Sequence, residues 1–60
     1  MHGITVNQRV QITGGPRWGL NGVVIEVRQM HRPPITTVSV RIDGGERVTA
    51  ELASNLMVRE

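Results

Sequence analysis

Sixty residues with no cysteine allow one small domain and exclude a disulfide framework and a thiolate zinc site. No apolar run approaches the roughly 20 residues that a membrane-spanning helix needs, and no signal-peptide pattern opens the chain, so the sequence reads as that of a cytoplasmic protein with no membrane partner. All seven basic residues are arginines, set against five acids; the formal charge of +2 suits contact with a phosphate backbone and equally suits a solvated β surface.

Residues 1–5 read as a short lead-in. Ile4 and Val6 share parity with Val10 and Ile12, while Asn7 and Gln8 read as a break or bulge before the first firm strand at 9–13. That strand alternates, with Val10 and Ile12 on the inward face and Arg9, Gln11 and Thr13 on the outward one.

The stretch from Gly14 to Gly22 follows, holding four of the seven glycines, Pro16 and the only aromatic residue, Trp18. Proline fixes φ near −65° and donates no N–H, and glycine tolerates positive φ, so this is the chemistry of a tight, shaped loop. A β-branched run, Val23-Val24-Ile25-Glu26-Val27, continues into a second strand at 22–29. Its apolar residues at 23, 25 and 27 alternate, Val24 breaks the pattern, and Gly22 marks a place where neighbouring backbone approaches.

Met30-His31-Arg32-Pro33-Pro34 reads as a stiff loop, because consecutive prolines cannot donate to a ladder. Residues 35–42 carry the cleanest period-2 signal, with Val38, Val40 and Ile42 on one side. Asp43-Gly44-Gly45 reads as a tight hairpin turn, 46–50 as a fourth strand, 51–55 as a single 3₁₀ turn pinned by Leu52, and 56–58 as a fifth strand. No repeat, linker or long 3.6-period segment appears. The predicted architecture is all-β, one small five-stranded SH3-like barrel over residues 1–60 with a 3₁₀ turn before the last strand.

Arg9-Val10-Gln11-Ile12, then Gly15-Pro16, Gly19 and Gly22, then Val24 and Val27, resemble the KOW motif of transcription elongation factors and ribosomal proteins. The segment Val38-Ser39-Val40-Arg41-Ile42 with Gly44, Glu51 and Leu52 is similar to the C-terminal domain of NusG-type factors, and the two likenesses together span about residues 8–58. The resemblance implies the same barrel and a loop that serves as a contact surface. It also implies docking of RNA, or of a ribosomal or transcription protein, through the barrel edge and loops. The domain with which NusG-type factors grip RNA polymerase has no counterpart in these residues.

Trp18, between Arg17 and Gly19, is the most informative single residue. An indole on a loop can stack on an unpaired base, a contact of about 1 to 3 kcal/mol, whereas an indole turned inward would plug one end of the barrel. Arg17, Asn21, His31 and Arg32 lie on loops expected to crowd the same end; guanidinium forks match phosphates and an amide reads base edges. Outward Arg28, Arg41 and Arg47 are weaker candidates. Gly15, Pro16, Gly19 and Gly22 are assigned to shaping the loop. His2 and His31 have no cysteine or closely spaced carboxylate beside them, and Ser39 and Ser54 have no His/Asp constellation, so neither a metal, a cofactor, a small-molecule substrate nor catalysis is expected. The trimethoprim-resistant dihydrofolate reductases borne on plasmids, SH3-like barrels that build one pore from four subunits, carry a Val-Gln-Ile-Tyr segment that is absent here. A second reading is a structural or adaptor subunit of a larger complex, its exposed edge strands pairing copies into a homo-oligomer.

Overall fold

A computed structural model describes residues 3–59; Met1 and His2, part of the expected lead-in, lie outside the described residues. The strands are β1 (Arg9–Ile12), β2 (Asn21–His31), β3 (Pro34–Ile42), β4 (Val48–Leu52) and β5 (Leu56–Arg59), with a 3₁₀ turn, η1 (Ala53–Asn55), before the last. All pairs are antiparallel in the order β4-β3-β2-β1-β5, and the sheet curls into the expected small SH3-like barrel.

The core contains no aromatic ring. Val10, Ile12, Val24, Val38 and Val40 are sealed from solvent, and Ile4, Val27, Ile42, Ala53 and Leu56 pack against the central valines. Each such aliphatic side chain contributes about 1.5 to 3 kcal/mol when fully buried, and β-branched residues suit the pleated surface that carries them.

Val24 breaks the alternation of β2 because the strand carries a β-bulge between Val24 and Glu26. An extra residue reverses the parity of everything beyond it. Val24 therefore points inward ahead of the bulge and Val27 inward after it, while Ile25 is exposed; the regular set 23, 25 and 27 is not the buried face. Gly22 is required by proximity: a Cβ there would stand 2.4 Å from the Arg41 carbonyl oxygen and 2.6 Å from Val40 Cγ1.

The expected loop at 30–34 is instead the end of a long hairpin. Pairing of β2 with β3 continues to His31 opposite Pro34, leaving Arg32 and Pro33 as the turn, with the Arg32–Pro33 peptide cis. Both prolines are tolerated because their missing N–H groups fall in the turn and at the first residue of a strand. At the other end Gly44 takes φ +93° in the β3–β4 turn, as its composition indicates, and Asn7 takes φ +75° at the break before β1.

The fourth strand is shifted from its expected place, running through Glu51 to Leu52, and only Ala53–Asn55 forms the 3₁₀ turn. Leu52 does not pin that turn, since it is 44% exposed; Ala53 and Leu56 on either side are the residues that reach the core. Opposite Val40 and Val38, the inward positions of β4 are Thr49 and Glu51, so the barrel interior is partly polar.

Candidate binding surface

The loop between β1 and β2 is closed at its neck by two hydrogen bonds, from Gly19 N–H to the Ile12 carbonyl at 2.6 Å and from Ile12 N–H to the Leu20 carbonyl at 2.8 Å. Two overlapping turns shape what lies above. In the first, Trp18 N–H donates to Gly15 across Pro16, whose fixed φ suits the second position; in the second, Leu20 N–H donates to Arg17 across Gly19 at φ +92°. Trp18 thus occupies the outer corner and is 73% exposed. The indole is displayed and does not plug the barrel.

Arg17 turns the other way. Its Nε–H donates to Glu51 Oε2 at 2.5 Å, and Nη2 lies 3.4 Å from the Ala50 carbonyl. Glu51 is 4% exposed, so its carboxylate depends on this partner for compensation. Ala50 lies opposite Ser39, between the pairs through which β4 bonds to β3, so its carbonyl faces the open edge of the sheet. Arg17 therefore ties the loop to β4 and occupies part of that edge. Of the predicted contact residues, Arg17 is the one whose guanidinium is already engaged within the fold, by a buried carboxylate.

A second tether holds the base of the loop. Thr13 donates both its N–H (2.8 Å) and its hydroxyl (3.2 Å) to the Asn55 carbonyl, and Gly14 sits where any Cβ would meet Asn55 Oδ1 at 2.7 Å. The 3₁₀ turn is thus a buttress for the loop.

Asn21, the first residue of β2, lies beside this loop opposite Gln11. Its carbonyl accepts the Asp43 N–H at 2.9 Å, and its side-chain amide makes no hydrogen bond among the described residues. Trp18 and Asn21 therefore share one end. His31 and Arg32 do not: they occupy the tip of the β2–β3 hairpin, ten residue steps and about 33 Å of strand away, in a molecule 34 Å long. The expected crowding of all five at one end fails because pairing straightens residues 30–34 where a loop would have folded back.

Near the hairpin, β3 outruns β4, and Pro34, Ile35 and Thr36 with Leu52, Ala53 and Ser54 line a groove of about 340 Å³. Among the described residues no group of His, Cys, Asp or Glu is arranged to hold a metal ion, and no helix is long and apolar enough to cross a membrane. Glu51 is the site residue that sequence reasoning missed. A carboxylate at an inward position is intelligible only beside its partner, 34 positions earlier.

The chain matches no protein-family model, no curated protein and no solved structure.

Proposed function

We propose that this chain is a KOW-type binding module, cytoplasmic and without catalytic activity, cofactor or small-molecule substrate, that contacts single-stranded RNA through the loop carrying Trp18. The observation that carries the reading is an indole held 73% exposed on a loop anchored at three places: the Ile12 neck, Asn55 and Glu51. Exposing a large aromatic ring forfeits its burial energy in a core that has no other aromatic. Anchoring the loop lowers the ordering cost of any contact the ring makes. Stacking is tolerant of sequence and adds about 1 to 3 kcal/mol per base. The net positive charge supplies attraction that weakens with salt.

The test follows Trp18 fluorescence and the anisotropy of a labelled single-stranded RNA oligomer at low and moderate salt. Salt-dependent quenching together with rising anisotropy is the expected result; a flat response in both removes the reading. A second reading, an adaptor that takes a protein partner of the transcription or translation machinery or a second copy of itself, is favoured by the groove beside Leu52 and by the exposed Met57 and Val58 on the edge strand β5. Light scattering and an RNase-resistant stoichiometric partner would support it.

A further inference from the structure

Strand register brings three arginines into one line across the sheet. Arg59 on β5 lies opposite Arg9 on β1, Arg9 opposite Val23 on β2, and Val23 opposite Arg41 on β3. Their neighbours Val10, Gly22, Val24 and Val40 are buried, so the four residues of this row share the outward face. With neighbouring strands about 4.8 Å apart, the row from Arg59 to Arg41 spans about 14 Å. It borders the pair Gln11 and Asn21, which in turn borders the Trp18 loop.

Like charges directly opposite each other on paired strands are destabilising. Here the pair Arg9 and Arg59 is offset only in part. Arg9 Nη2 donates to Asp43 Oδ2 at 2.5 Å, and Arg59 Nη1 donates to Gln11 Oε1 at 3.1 Å. Arg41 makes no ion pair among the described residues. Each guanidinium has five N–H donors, so most of this line's donors remain uncommitted. The other exposed acids among the described residues do not answer it: Glu26 lies beyond the bulge, opposite Ser39, and Glu46 lies in the β3–β4 turn. Among the described residues, one carboxylate faces three guanidinium groups.

We infer that the outward row Arg59, Arg9 and Arg41 is a phosphate track for the same single-stranded RNA, continuing the footprint from Trp18 across the amides of Asn21 and Gln11. The inference rests on the reading of Trp18 as an RNA contact. Bases stack at the loop while the backbone crosses the sheet roughly perpendicular to the strands. The row supplies the part of the affinity that depends on salt; Trp18 supplies the part that does not.

Anisotropy titrations of a labelled single-stranded RNA oligomer, over a range of salt concentrations, compare the wild type with R41Q/R59Q, R41K/R59K, R47Q and W18A. The double glutamine variant leaves the Arg9–Asp43 pair in place. It should bind at least about tenfold more weakly at low salt and lower the slope of log K against log salt by about 1.4, with Trp18 quenching at saturation retained. The lysine variant should keep the slope, and R47Q, off the row, should bind as tightly as the wild type. If R41Q/R59Q keeps both affinity and slope while W18A weakens binding, the track is wrong and the Trp18 reading stands. If R47Q lowers the slope as much per charge as the row variants do, diffuse charge replaces the track. No anisotropy change with the wild type overturns both.

Discussion

The Nε–H of Arg17 donates to the buried Oε2 of Glu51 across 34 positions of sequence, and through that bond the loop that displays Trp18 is fastened to the edge strand β4. The two side chains do different work from that suggested by their types. An arginine beside an exposed tryptophan reads as a ligand contact; here its guanidinium also fastens the loop to β4.

Replacing Arg17 by alanine leaves a carboxylate buried without a partner. The expected cost is about 2 to 3 kcal/mol, the low end for breaking a buried pair because the Arg17 side chain is 33% exposed. In a domain of this size that lowers the melting temperature by more than about 10 °C. Denaturant unfolding of R17A, E51Q and the double variant checks it: the double variant should lose less than the sum of the singles. Additive losses would show that the two residues do not depend on each other.

Gly22 and Gly19 should respond to alanine for different reasons and by different amounts. At Gly22 the new Cβ meets the Arg41 carbonyl at 2.4 Å, inside the paired sheet, so the cost is about 3 kcal/mol or more. Gly19 has nothing within 4 Å of an added Cβ but stands at φ +92°, and alanine there costs about 1 to 2 kcal/mol through the left-handed backbone alone. Equal losses in thermal unfolding would contradict the close approach of β2 to β3.

The bulge predicts an inversion between two consecutive residues. Val24→Ala should cost about 2 to 3 kcal/mol as a fully buried position, whereas Ile25→Thr, at an exposed and unpaired site, should stay within about 0.5 kcal/mol. Simple alternation through 23, 25 and 27 would give the reverse order, and urea midpoints of the two variants decide between them.

These contrasts mark where local pattern stops being informative. Alternation places Val10, Ile12, Val38 and Val40 correctly, because a half-buried strand writes its period directly into the sequence. Glycine and proline chemistry likewise locates the loop between β1 and β2, though Asn21 and Gly22 at its expected end belong to β2, and the turn at Gly44. The bulge is invisible to periodicity, since one extra residue looks like ordinary noise in a short apolar run. The straight hairpin through Met30 and His31 depends on a partner strand that makes two prolines harmless. The Arg17–Glu51 tether and the arginine row depend on register, which links residues distant in sequence and has no local signature.

The position of the hairpin tip separates RNA contact at Trp18 from a general basic attraction. His31 and Arg32 lie at the hairpin tip, about 33 Å of strand from Asn21 at the Trp18 end, in a solution whose Debye length is about 10 Å at about 0.1 M ionic strength. At that salt, H31A/R32A should bind single-stranded RNA within about twofold of the wild type, while W18A loses about 5- to 150-fold, as removal of one stacked base contact implies. W18A should also keep its stability within about 0.5 kcal/mol, because the indole buries little. A comparable loss in H31A/R32A would mean that nucleic acid runs along the hairpin, and the contact surface would then have to be drawn around the long axis of β2 and not around the loop that Arg17 holds.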